Sequence, residues 1–202
     1  MNKFDKMRIA MRYWLHGRGY HNAVRAMEFA YKYHTGTRKD GITPEFHHQV
    51  SIASYLRTLQ LKYQEEALAT AFLHDIIEDH KVDLKVISAE FGEDIAKAVK
   101  LLTKKNIGEA PDTETYFDNM SNCPIASLVK GGDRIHNFQT MIDIFTPEKK
   151  QEYIDECENH ILPMLKEARR KFPEQEPAYE NIKLVLMSQI ELINVSLNAM
   201  RE

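Results

Sequence analysis

Apolar residues recur along this chain with a helical period, and no segment sustains the alternation of a half-buried strand. That pattern restricts the fold to an all-α bundle. In residues 20–33, Val24, Met27, Ala30 and Tyr31 fall at helical spacing. A polar loop over 35–43 follows, broken by Gly36 and Gly41, and Pro44 suits a first helical turn. Residues 45–61 place Ile52, Tyr55, Leu56 and Leu59 on one face, and 64–79 form another helix that is strongly apolar in its middle. A short acidic and apolar stretch, 84–91, ends at Gly92, and a helix is expected over 93–104. Residues 105–113 read as a loop with Gly108 and Pro111. Helices then follow over 114–121, 124–145, 147–171 and 176–200. Thr146 before Pro147 has the chemistry of a helix cap and first turn. With no repeat, low-complexity tract or linker, the expectation is a single domain over residues 1–202.

Eight glycines and seven prolines are too few for the many tight turns of an all-β protein. A net charge of −3 gives no reason to expect nucleic acid or a membrane as partner, although a local basic patch can still hold a phosphorylated substrate. Two distant cysteines, Cys123 and Cys157, do not make a disulfide framework and fit a reducing cytosol. The N-terminus lacks the apolar run of a signal peptide, and no stretch approaches the roughly 20 apolar residues of a membrane span. A cytoplasmic protein is expected.

The chemistry starts at residues 72–80, FLHDIIEDH. Consecutive His74 and Asp75 on a helix point about 100° apart, so both can reach one ion beside it. Glu78 lies four residues after His74 and Asp79 four after Asp75, which returns both carboxylates to the same side one turn on. Three carboxylates and an imidazole directly after the apolar run ATAFL are costly to desolvate without a balancing cation. A bare His-Asp dipeptide is most often a solvated helix end, so two further blocks matter. Residues 34–48 offer His34, His47 and His48 near Arg38 and Lys39; residues 130–140 set Asp133, Asn137 and Thr140 on one helical face. Mixed nitrogen and oxygen donors without thiolate favour Mn²⁺, Fe²⁺, Mg²⁺ or Co²⁺ over structural zinc.

The order H…HD…ED…DRxHN, after an H-x-G-x-R-K-x-G loop, resembles the HD-domain hydrolases of the RelA/SpoT type. These include small stand-alone alarmone hydrolases that remove pyrophosphate from the 3′ position of ppGpp. The resemblance covers roughly residues 20–150 and implies an HD-domain helical bundle. It implies a divalent metal, usually Mn²⁺, held by His48, His74, Asp75 and Asp133. His48 is preferred to His47 because Val50, Ile52, Ala53 and Leu56 then align. Glu78 and Asp79 fall on the pair that activates water and moves protons. Arg38 and Lys39 fall on a pair that contacts the nucleotide. Asn137 and Thr140 match substrate-side positions, and Lys150 matches a phosphate-contacting lysine. The chain departs from the family at Gln49, where a proline is usual, in its loop spacing around Arg38, and at Gly131-Gly132. No synthetase domain is expected within these 202 residues.

The resemblance implies a (p)ppGpp 3′-pyrophosphohydrolase acting on a small phosphorylated nucleotide. Two alternatives stand beside it. One is a phosphomonoesterase or nucleotidase with the same metal site, acting on NADPH or a deoxynucleotide. The other is a non-catalytic nucleotide-binding module, against which the intact ligand set argues. His136 is expected to pack or bond within the bundle, and His34 to support its loop or touch substrate. His16, His21, His80 and His160 are expected at the surface or in caps, and Trp14, Tyr31 and Phe46 in the core. Leu184, Leu186, Ile190, Ile193 and Leu197 have the spacing of a core stripe or of a homo-oligomer face.

Overall fold

The structure, a computed structural model, describes residues 2–104 and 112–199. Among the described residues it is built of helices, and the one β-type pairing is an isolated bridge between Thr37 and Pro44. It opens with α1 (Lys3–Arg18), a helix that the apolar pattern did not disclose because only Met11 and Leu15 are buried on it. Its ends are capped: Asn2 Oδ1 accepts from Asp5 N at 2.8 Å, and Gly19 closes the helix at φ 72°. The N-terminal half continues with α2 (His21–Tyr33), α3 (His47–Leu56), α4 (Gln64–Leu73), α5 (Ile76–His80), α6 (Leu84–Phe91) and α7 (Glu93–Leu102). The rest comprises α8 (Thr113–Ser121), α9 (Pro124–Thr140), α10 (Pro147–Glu156), α11 (Leu162–Lys171) and α12 (Glu176–Ala199).

Several expected boundaries move, each for a local reason. The helix expected from residue 45 begins at His47, because Glu45 N bonds to Gly36 O and Pro44 pairs with Thr37. The segment 64–79 divides into α4 and α5 at His74-Asp75, where Asp75 adopts φ −97°, ψ −4°. The segment 147–171 is interrupted by a π-helical turn, Cys157–Ile161, just before Pro163. A proline cannot donate to the carbonyl four residues back and its ring crowds that oxygen, so a wider turn accommodates it. The segment 124–145 stops at Thr140, and Ile144 N and Phe145 N both return to Met141 O. The stretch 84–91 is helical, with Asp83 accepting from Lys85 N. Of the loop expected over 105–113, residues 105–111 lie outside the described residues, and Asp112 caps α8.

Helix α4 is the central element and packs against α2, α3, α7 and α9. Ala67, Ala69 and Ala71 are buried on it, and such small side chains let four neighbours approach. Helix α9 lies between α4, α3 and α12, and Gly131 and Gly132 let its neighbours approach closely. A Cβ on Gly131 would stand 2.6 Å from Ile182 Cγ2, and one on Gly132 would stand 3.2 Å from Ile52 Cγ2. Leu186, Ile190, Ile193 and Leu197 of α12 enter the core, whereas Leu184 faces solvent. Phe46 is buried and Trp14 packs against the core, but Tyr31 remains substantially exposed. No helix among the described residues is long and apolar enough to cross a membrane.

Candidate metal centre

Three helix segments deliver imidazoles and carboxylates to one point. His48 comes from the first turn of α3, His74 and Asp75 from the α4–α5 junction, and Asp133 from the middle of α9. His48 Nε2 lies 3.2 Å from Asp133 Oδ1 and 3.8 Å from Asp75 Oδ2. His74 Nε2 lies 2.9 Å from Asp75 Oδ2 and 3.9 Å from Asp133 Oδ1. His48, His74 and Asp133 each offer one donor atom, all within 4.8 Å of one another, and all three residues are buried. Asp75 occupies the N-cap of α5 without capping it, which leaves its carboxylate turned to the imidazoles.

The second nitrogen of each imidazole is engaged elsewhere. His74 Nδ1 lies 2.9 Å from Ala71 O and must donate to it. Its Nε2 therefore carries a lone pair in the neutral ring, buried and without a hydrogen-bond partner despite its closeness to Asp75. His48 Nδ1 lies 2.8 Å from His136 Nδ1. Burial, with help from His48 and Arg38, lowers His136 to about 3, so His136 is neutral there. A proton on His48 Nδ1, donated to His136, leaves His48 Nε2 bare. Two aimed lone pairs and two carboxylates are a donor set that fits a divalent cation. Without a cation a proton takes that place. Burial opposes charge on His74, but Asp75 and then Asp133 outweigh it and raise its pKa to about 9. Burial pushes the Asp133 carboxyl upward, yet Lys130 at 3.2 Å and His48 hold it well below the usual range.

Asn137 connects this cluster to a cavity of about 450 Å³. Its Nδ2 donates to Asp133 Oδ1 at 2.7 Å, and its Oδ1 accepts from Arg38 Nη2 at 3.4 Å. The same Arg38 nitrogen is 3.4 Å from Thr140 Oγ1. Arg38, Lys39, Asn137, Thr140 and Phe145 line the cavity, and Lys39 Nζ stands 4.5 Å over the Phe145 ring. The loop bearing Arg38 is held by its own chemistry. Arg38 N bonds to Thr43 O at 2.8 Å, Gly41 takes φ 69°, and Asp40 accepts from the backbone of Ile42 and Thr43. Concavities of about 480 and 580 Å³ also lie beside α11–α12 and α6–α7, but neither gathers this cluster or Arg38.

The expected site residues are thus largely brought together: the four candidate ligands form one cluster, and Arg38, Lys39, Asn137 and Thr140 one wall. Asp79 N bonds to Asp75 O at 2.9 Å, one turn on from the cluster. Burial, then Asp75 and Glu45, raise the Asp79 carboxyl above its ordinary range. Glu78 sits beside it on α5. Lys150 does not join the cavity wall. It is buried on the face of α10 that also carries Ile154, because its helical phase turns it inward. Lys130, which pairs with Asp133, was missed by motif reading, as was the grouping of His80 with His34 and Glu45. His80 was expected at the surface or in a cap; instead its Nε2 lies 3.0 Å from His34 Nδ1.

A helical bundle whose histidines and aspartates converge from separate helices defines a class of protein, the helical domains that hold a metal ion in their core. This chain belongs to the HD domain family, which matches residues 26–159. It is 32% identical over 148 residues to a probable guanosine-3′,5′-bis(diphosphate) 3′-pyrophosphohydrolase of Synechocystis sp., covering 69% of this chain and 19% of that protein. It is 30% identical over 146 residues to a probable GTP pyrophosphokinase of Mycobacterium leprae, covering 69% and 18%. With a guanosine-3′,5′-bis(diphosphate) 3′-pyrophosphohydrolase of Borreliella burgdorferi it shares 26% identity over 149 residues, covering 69% and 22%. The chain spans about a fifth of the length of these relatives. Among solved structures, one described as a metazoan ortholog of SpoT that hydrolyses ppGpp superposes with a TM-score of 0.60 at 20% identity. That likeness covers 80% of this chain and 93% of the other, and shows the shared fold.

Proposed function

We propose that this protein is a metal-dependent pyrophosphohydrolase of a guanosine 3′,5′-bis(diphosphate)-type nucleotide. The observation that carries the reading is Asn137, bonded on one side to Asp133 of the metal-ligand cluster and on the other to Arg38 of the cavity. Through it, the groups that would hold a nucleotide are in register with those that would cleave it. The naming of several relatives for this activity supports the substrate class.

His48, His74, Asp75 and Asp133 would hold the divalent ion; their nitrogen–oxygen mix suits Mn²⁺, Fe²⁺, Mg²⁺ or Co²⁺, and the family resemblance favours Mn²⁺ among them. When bound, the ion supplies charge neutralisation on phosphoryl oxygens and acidifies coordinated water. Asp79 accepts the proton of the attacking water, a role its raised pKa serves. Glu78, beside it on α5, orients the water or returns the proton to the leaving oxygen. Arg38 and Lys39 bind the nucleotide from the hairpin loop, while Asn137 and Thr140 fix the Arg38 side chain. Most of the work is positioning and charge stabilisation, as phosphoryl chemistry requires.

One domain with a cytosolic setting fits the two free buried cysteines. The exposed Leu184, Leu192 and Val195 on α12 support self-association as the use of that face. The test is a panel of phosphorylated nucleotides with Mn²⁺, products separated by chromatography. Pyrophosphate release from ppGpp is expected. Orthophosphate release from monoesters such as NADPH or deoxynucleotides, with ppGpp untouched, would refute the reading in favour of a phosphomonoesterase.

A further inference from the structure

Beside the centre already described, a second set of metal donors converges where α2, the Arg38 loop and α5 meet. His34 Nδ1 lies 3.0 Å from His80 Nε2 and 3.3 Å from Glu45 Oε1, and the remaining edge, His80 Nε2 to Glu45 Oε1, is 3.8 Å. A tetrahedral centre with bonds of roughly 2.0–2.2 Å needs ligand–ligand edges of about 3.3–3.6 Å, the middle of that set. Hydrogen bonding satisfies the triangle poorly. One proton on His34 Nδ1 can be shared with both neighbours, but it leaves the lone pairs of His80 Nε2 and Glu45 Oε1 facing each other. A cation at the centre uses all three.

The surroundings suit a ligand site. His34 is fully enclosed, and its ring is fixed by stacking on Phe46. Glu45 is oriented by Gly36 N, which donates to its Oε2 at 3.3 Å, leaving Oε1 toward the imidazoles. The side chains of Glu45 and His80 remain 27% and 20% exposed, so the centre is reachable from solvent. These donors share no residue with the His48–His74–Asp133 cluster.

We infer that His34, Glu45 and His80 form a second divalent-cation site, of the two-histidine, one-carboxylate kind that Zn²⁺ occupies with an open fourth position. His34 and Glu45 flank the loop that carries Arg38 and Lys39, and His80 ends α5, which carries Glu78 and Asp79. An ion here ties both ends of that loop to α5, so occupancy controls how rigidly the loop is held.

The test is Zn²⁺ stoichiometry of the chelator-stripped full chain, by metal analysis after dialysis against Zn²⁺ alone. The wild type should retain two equivalents; Glu45→Gln, His80→Gln and Asp133→Asn should each retain one; and Glu45→Gln combined with Asp133→Asn none. Hydrogen exchange over residues 35–45 should slow on Zn²⁺ addition in Asp133→Asn and be unchanged by Zn²⁺ in Glu45→Gln. A single equivalent in the wild type, lost in Asp133→Asn, would overturn the inference. So would two equivalents that survive both Glu45→Gln and His80→Gln. Because the count needs no substrate, it stands or falls independently of the activity.

Discussion

Asn137 donates to Asp133 and accepts from Arg38, so one amide ties a buried carboxylate of α9 to the tip of a surface loop. Neither Arg38 nor Asp133 needs to move for the two to be linked. Consequences of that link, and of the cluster behind it, can be measured.

Replacing Arg38 with Ala removes the loop's guanidinium without touching a metal-facing atom. The Michaelis constant for the nucleotide should rise by about 10–100-fold, the loss of roughly 1.5–3 kcal/mol of charged hydrogen bonding. Metal affinity, read by calorimetry, should stay within about twofold. Equal loss of both would show that Arg38 supports the cluster and not the substrate.

Asp133→Asn removes a carboxylate that both imidazoles face. Mn²⁺ affinity should fall by at least ~100-fold, with turnover falling in parallel unless metal is raised. Full activity at stoichiometric Mn²⁺ would exclude Asp133 from the ligand set.

His74 gives a signed pH dependence. Its pKa in the metal-free folded chain, about 9, lies above the ordinary 6.5. The stabilisation from its charged form is fully present below about pH 6.5 and is lost as the pH rises through about 9. The melting temperature of the chelated protein should therefore fall across that interval. Metal must displace the same proton, so Mn²⁺ affinity should rise with pH, and calorimetry in paired buffers should show proton release near pH 7. No proton release would contradict the charge assigned to His74.

Asp79→Asn should cut turnover by about 10²–10⁴-fold with little change in metal content. In the wild type, activity should fall on the acid side as Asp79 protonates, at a pH above the ordinary carboxylate value of 3.8. An acid limb unchanged in the residual activity of the variant would assign the titration to another group.

At Gly131, a leucine would drive carbon atoms into Ile182, which a Cβ alone would approach to 2.6 Å. Gly131→Leu should destabilise by about 2–3 kcal/mol, because overpacking outweighs the gain in helix propensity of about 1 kcal/mol. Chemical denaturation measures it, and an unchanged midpoint would mean that α9 and α12 can separate at no cost.

Much of the molecule was legible in advance. The helical repeat identified most of the helices, and the His48, His74, Asp75 and Asp133 assignments coincide with one cluster in space. Arg38, Asn137 and Thr140, which stand apart in sequence, meet in space. What escaped were features with weak local signals. Helix α1 buries only Met11 and Leu15, so its period was faint. The break at Asp75 and the π-turn before Pro163 interrupt otherwise continuous helical patterns. Lys150 was expected to contact phosphate, but its helical phase on α10 places it inside, away from the cavity wall.

The sequence by itself determined that the chain is helical and that it carries the HD motif, because helical periodicity and the His74-Asp75 pair are properties of neighbouring residues. Only the tertiary structure decided that Asn137 joins the cluster to Arg38, that Lys130 faces Asp133, and that His80 meets His34 and Glu45. Those pairings depend on how α2, α5 and α9 pack and on how one loop folds back. Contacts between distant segments are set by the shape of the shared core, which no local pattern encodes.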